Sequence, residues 1–176
     1  MNISKEFTIY KIFNAFKSEG LKISKDTLYK FLGYCEEAYL LLPVSNFSES
    51  FSKQTIKKSY SIDTGLSRMV SFALSKDIGR LFENIILLEL KRRGNDVFFF
   101  NEKGECDFIV KEKDKITMAL QACYELNENN REREIAGLKN AMKRFKLKKG
   151  IILTHSQEKT VENISVIPAY KWLLGN

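Results

Sequence analysis

Apolar residues recur at helical spacing from residue 5 to residue 19. Ile9, Ile12, Phe13 and Phe16 fall at i, i+3, i+4 and i+7, and Gly20 supplies a stop. Ser24 reads as the N-cap of a second helix, with Asp26 in its first turn and Leu28, Phe31, Leu32, Cys35 and Tyr39 as a buried stripe up to Pro43. Leu40–Val44 and Lys58–Ile62 can then pair as strands around the polar loop NFSESFSKQTIKKS. Helix, four-residue turn, helix is a helix-turn-helix layout. Lys25, Tyr29 and Lys30 occupy the solvent side of the second helix, mixed with Glu36 and Glu37. The plain reading of that face is solvation, and the sharper one is base-specific reading of DNA, for which a cleaner positive stripe would be usual.

The stretch SIDTGLSRMVSFALSKDIG is a connector, with Asp63, Thr64 and Gly65 as turn residues and a short helix after them; the boundary falls near residue 70. From Ser75 to Arg93 the residues Ile78, Leu81, Phe82, Ile85, Leu88 and Leu90 mark a long helix, capped by Ser75 and ended by Gly94, with Glu83 beside its stripe. Three strands follow: VFFF at 97–100, one around Asp107 after a turn at Lys103 and Gly104, and one through Gln121 after a turn at 111–115. REREIAGLKNAMKRF predicts a helix over 131–146 with Ile135, Leu138, Met142 and Phe145 inward. GIILTH (150–155) is a buried strand, and NISVIP leads into a terminal helical turn carrying Tyr170 and Trp172. Residues 71–176 thus form an α/β domain of order α-β-β-β-α-β with a small extra strand and a mixed central sheet, after a separate segment over 1–70.

Asp107 stands out because it interrupts the apolar run CDFIV. A carboxylate inside a buried strand costs free energy unless it is paired, hydrogen-bonded or bound to a metal. Period-2 alternation puts Gln121, Cys123 and Glu125 on one face of the next strand, where they can converge with Asp107. The structural reading is a buried acid held by backbone donors or by a cation such as Arg80; the functional one is a site.

Composition narrows the choices. Hydrophobic residues make up 44% of 176, enough for a real core. The formal charge of +7 and a pI near 9.2 favour an acidic partner, DNA or RNA first among them. The densest basic stretch runs from Arg131 to Lys149, and Lys143, Arg144 and Lys148 join Lys25 and Lys30 as candidate phosphate contacts. Cys35, Cys106 and Cys123 are odd in number and form no CxxC pair, which argues against structural zinc and a disulfide scaffold. His155 is the only histidine, so His-rich metal sites are excluded. No leader and no run of about 18 apolar residues is present, so the expectation is a cytoplasmic chain without a membrane partner. The phosphate-cradling loop GxxxxGKS or GxxxxGKT is absent.

The acid on the first helix of the second domain, the Asp on its second strand and the polar-x-polar pair on its third resemble the PD-(D/E)XK nuclease-like (restriction-endonuclease-like) pattern. The resemblance implies that Asp107 is the metal-holding Asp and Glu83 the helix acid, with Gln121 where a Glu belongs and Cys123 where a Lys belongs. Active members hold Mg²⁺ with hard oxygen ligands, and the ion activates water. Here Asp107, Gln121 and Glu83 would be the metal ligands of a degenerate site. Losing one preorganised donor costs ~10²–10³ in rate, so little or no cleavage is expected. Glu125 or Glu134 could serve as a displaced carboxylate, which keeps a Mg²⁺-dependent nuclease as the alternative. Across most of the chain, TLYKFLGYCEEAYLLLPV, SYSIDTGL, GRLFEN, ECDFIV, LQACYEL, REREIAGLKNA, GIILTH and VIPAYKWLL are similar to the C-terminal half of prokaryotic, mainly archaeal, AAA-type ATPases with a domain of unknown function. That family implies a winged-helix-like segment, here lacking its first helix, followed by the nuclease-like domain. The chain lacks the P-loop ATPase module, so the partners implied are a separately encoded ATPase, a nucleic acid, or a second copy of the chain. The missing helix implies that a partner covers Phe7, Phe13 and Phe16, or that the chain is the tail of a larger polypeptide or half of a split gene.

Overall fold

A computed structural model of the chain describes residues 4–65 and 78–175. Two compact units divide it, residues 1–74 and 75–176. The boundary near residue 70, the short helix after Gly65 and the Ser75 cap all lie outside the described residues.

The first unit holds β1 (Glu6–Phe7), α1 (Ile9–Ser18), α2 (Lys25–Glu37), β2 (Leu42–Ser45), α3 (Phe51–Gln54) and β3 (Lys57–Tyr60). The helix expected from residue 5 starts later because Thr8 caps it, its hydroxyl accepting the Lys11 N–H at 3.1 Å. Glu6 and Phe7 instead pair antiparallel with Lys58 and Lys57, giving a sheet of order β1-β3-β2. Ser24 caps α2 as the sequence predicts, accepting the Thr27 N–H at 3.0 Å. α2 ends well before Pro43: Tyr39 takes a left-handed φ of 56°, and the Leu40 and Leu41 N–H groups both turn back onto the Cys35 carbonyl. The strand expected from Leu40 therefore begins at Leu42. It pairs antiparallel with β3 as expected, Leu42 opposite Tyr60 and Ser45 opposite Lys57. α3 forms one helical turn inside the polar loop, where only a loop was expected.

The second unit runs α4 (Ile78–Arg92), β4 (Asp96–Asn101), β5 (Glu105–Glu112), β6 (Lys115–Ala122), α5 (Arg131–Phe145), β7 (Gly150–Thr154), β8 (Lys159–Val161), β9 (Ile164–Pro168) and α6 (Ala169–Leu173). Its six-stranded mixed sheet has order β4-β5-β6-β7-β9-β8, with β6, β7 and β9 parallel and the outer pairs antiparallel. β8 is one strand more than expected: Glu162, at φ 55°, and Asn163 turn Val161 back onto Ile164. Cys106 to Val110 are all buried, so both faces of β5 are covered, since successive side chains alternate. Each Phe, Ile or Val so buried contributes roughly 1.5–3 kcal/mol. α4 supplies Phe82, Ile86, Leu87 and Leu90 to that core. Its end is tied to α6 through Glu89, which accepts from Arg92 and Arg93, while Arg93 lies 4.2 Å from the Trp172 ring centroid and donates to its carbonyl. Hydrogen bonds from Arg92 and then Arg93 hold the Glu89 carboxyl down at about 2. No described helix is long and apolar enough to cross a membrane.

Candidate functional site

The site forms where β6 changes partners. Its backbone pairing with β5 ends at Phe108 opposite Leu120, while Leu120, Gln121 and Ala122 pair parallel with Ile151, Ile152 and Leu153 of β7. Past that point β5 and β6 stay joined through side chains. The Asp107 N–H donates to Gln121 Oε1 at 3.2 Å, and Asp107 Oδ2 accepts the Ala122 N–H at 2.9 Å. Two side chains thus close a ladder that the backbone leaves open, and each satisfies a main-chain donor, buried at Asp107 and part-buried at Ala122.

α5 completes the arrangement. Gln121 Nε2 donates to Glu134 Oε2 at 2.5 Å, and Arg133 sends Nε (3.2 Å) and Nη2 (2.5 Å) to Glu134 Oε1. Gly137 allows α5 to come this close: a Cβ there would stand 2.0 Å from the Glu105 carbonyl oxygen of β5. The helix therefore rests on the strand backbone, and Glu134, one turn earlier, reaches Gln121. Asp107, Gln121 and Glu134 are all buried.

Cys123 lies on the same side, near enough for its neighbours' charges to act on it. Burial first, then Glu134 and Asp107, push its thiol up to about 11, with Arg133 opposing. Its sulfur donates to the Glu125 carbonyl at 3.3 Å and accepts from Asn130 Nδ2 at 3.6 Å. A thiol so protonated is a poor nucleophile.

Glu83 is buried on α4, and Phe82 beside it meets Tyr124 edge-on at 5.7 Å, Tyr124 in turn stacking on His155 at 4.9 Å. Of the two displaced carboxylates considered from sequence, Glu134 joins the network; the Glu125 side chain is exposed and contributes only its backbone carbonyl. Arg133 and Gly137 are what sequence reasoning missed. Gly137 carried a signal, a glycine inside an apolar helical stripe, which marks a close backbone approach.

The candidate phosphate contacts fall in different units. Lys25 sits over the rings of Tyr10 (4.8 Å) and Phe13 (5.4 Å), and Lys30 is exposed on the same helix. Lys143, Arg144 and Lys148 are exposed at the end of α5. Lys139, Lys143 and Lys146 line a shallow concavity of about 460 Å³, where Lys139 pairs with Glu162 at 2.8 Å.

Mg²⁺ takes near-octahedral oxygen ligands, and several of the oxygens here are already engaged: the Gln121 carbonyl and Asp107 Oδ2 accept backbone N–H groups and both Glu134 oxygens accept side-chain donors. Among the described residues, no three His, Cys, Asp or Glu side chains group closely enough to hold a metal ion.

Comparison with known proteins places the chain among relatives of undefined activity. An uncharacterized protein of Methanocaldococcus jannaschii, MJ1544, is 37% identical over 97% of this chain and 41% of its own length. An uncharacterized protein of Haemophilus influenzae is 29% identical over 98% of this chain and 43% of its own length. The chain therefore spans about two fifths of the length of the curated relatives it matches. No solved structure matches it. The domain of unknown function DUF4143 matches residues 78–172, which spans the second unit's sheet and all but the last residue of its helices, and the chain belongs to that family.

Proposed function

We propose that the chain is a C-terminal accessory part of an archaeal-type AAA ATPase that binds nucleic acid without cutting it. In this reading the first unit is winged-helix-like, and the second is a restriction-endonuclease-like scaffold whose former site is now a structural hydrogen-bond network. The observation that carries the reading is Gln121 tied at both ends, its carbonyl to the Asp107 N–H and its amide to Glu134. A residue so engaged holds β5, β6 and α5 together, and a metal would have to compete with these hydrogen bonds for its oxygen. Binding falls to the exposed cations at the end of α5, with Lys25 and Lys30 of the first unit as a second contact; the overall charge of +7 favours a polyanion.

The test measures DNA affinity against salt. Each phosphate contact contributes about −0.9 to the slope of log K on log salt for duplex DNA. Replacing Lys143, Arg144 and Lys148 together by alanine should flatten the slope by roughly 2–3 and leave Mg²⁺- or Mn²⁺-containing mixtures uncut, as for the unaltered chain. A slope near zero in the unaltered chain removes phosphate contact from the account. Metal-dependent cleavage abolished by Asp107→Ala would establish instead the Mg²⁺-dependent nuclease reading through Asp107 with Glu83, Gln121 or Glu125. In favour of that alternative, Asp107 and Glu134 are both buried beside Gln121, whose carbonyl accepts the Asp107 N–H and whose amide donates to the Glu134 carboxylate.

A further inference from the structure

We infer that Arg133 is the resident cation of this site: its guanidinium balances the buried Asp107–Gln121–Glu134 chain, in the role the resemblance gives to a divalent ion. The inference rests on the reading of the site as structural and deepens it.

Arg133 and Glu134 are consecutive on α5, and side chains one position apart on a helix point about 100° away from each other. An exposed arginine in the first helical turn would ordinarily extend into water. Here the side chain is 80% exposed along its length, yet it turns back to place Nε and Nη2 on one oxygen of a carboxylate only 8% exposed. Something pulls it there. Glu134 contributes most, and Asp107 also favours its charge, against the cost of burying it. These carboxylates border the position, 123, at which the resemblance expects a lysine. The positive charge absent from the strand arrives from the helix. The other Glu134 oxygen takes the Gln121 amide, so the carboxylate has a donor on each oxygen. Placement in the first turn of α5 also favours Glu134 through the helix N-terminus, which by itself would not bend Arg133 back.

A double-mutant cycle on the full chain separates charge compensation from packing. Melting is followed by the fluorescence of Trp172, for the unaltered chain, Arg133→Ala, Glu134→Gln and the combination, each in EDTA and in millimolar Mg²⁺ or Mn²⁺. The unaltered chain should melt at the same temperature with and without the metal. Arg133→Ala should lower the midpoint by roughly 4–8 °C, the shift for about 1 kcal/mol in a domain of this size. In the Glu134→Gln background the same change should cost less than about a quarter of that, because the carboxylate that takes both guanidinium hydrogen bonds is gone. Arg133→Lys should keep at least half of the stability, and it carries the test where Arg133→Ala does not fold. Equal losses in both backgrounds would overturn the inference, as would a rise in the unaltered chain's midpoint on adding Mg²⁺ or Mn²⁺, which signals binding to the native state. The cycle reads neither cleavage nor DNA affinity, so it can fail while the binding account stands, and the reverse.

Discussion

Gln121→Glu keeps the length of the side chain and alters the one group that donates to Glu134. The Nε2 atom now 2.5 Å from Glu134 Oε2 becomes an oxygen, and two carboxylates face each other in a buried site. Like charges at that separation do not both ionise; the new carboxyl takes up a proton and then donates through its O–H. Protonation sets a ceiling on the cost. Holding a proton at pH 7 on a group whose ordinary pKa is about 4.3 costs ~1.36 kcal/mol per unit, or about 3.7 kcal/mol. Arg133, already on Glu134 Oε1, offsets part of this, so we expect a loss of about 2–3 kcal/mol at pH 7.

The pH dependence follows from the same argument. In the unfolded chain the new carboxyl ionises near 4.3, and in the native state it keeps its proton to higher pH. The native state then binds more protons than the unfolded state, so stability falls as pH rises above about 4.3 and recovers below it. Relative to the unaltered chain, the penalty should shrink by about 1.4 kcal/mol per unit from pH 7 down to pH 5, where less than about 1 kcal/mol remains. Urea titration followed by Trp172, the single tryptophan and buried in the second unit, measures it; with ordinary slopes the midpoint at pH 7 should drop by roughly 1–2 M. An unchanged midpoint, or a drop equal at pH 5 and pH 7, would refute the claim that Gln121 donates into a buried carboxylate.

Two more predictions probe the walls of the site. With its thiol pushed up to about 11 chiefly by burial, Cys123 should resist iodoacetamide at about pH 8, where ordinary thiols are partly ionised. Half-buried Cys35 should be labelled first, as timed alkylation and peptide mass spectrometry would reveal; labelling of Cys123 as fast as Cys35 would mean an open cleft. Gly137→Ala sets a methyl against the Glu105 carbonyl, a backbone atom that cannot swing aside, and should cost about 2–3 kcal/mol in the same urea titration. A neutral result would show that α5 does not rest on β5.

Local patterns carry most of the fold, and they fail where a partner distant in sequence decides. Ser24 is legible as a cap because the cap is a contact between residues three apart. Glu6 and Phe7 read as helix because their spacing suits one, yet their strand pairing with Lys57 and Lys58 comes from some fifty residues later. The site divides in the same way. Asp107 and Gln121 can be matched from period 2 alone, since adjacent strands of a hairpin must bring same-face residues together. Glu134 can be named from sequence only as one of two spare acids, because choosing it over Glu125 requires the crossing of α5 over β5, which a single glycine permits. Arg133 is illegible for a stronger reason. Helical geometry says that it should point away from its neighbour, and only the buried negative charge assembled from β5 and α5 turns it back. A buried polar network is a property of the assembled sheet and helix, so its members look ordinary one by one. The cost of disturbing any one of them is what makes the network visible, and that cost should fall on stability first.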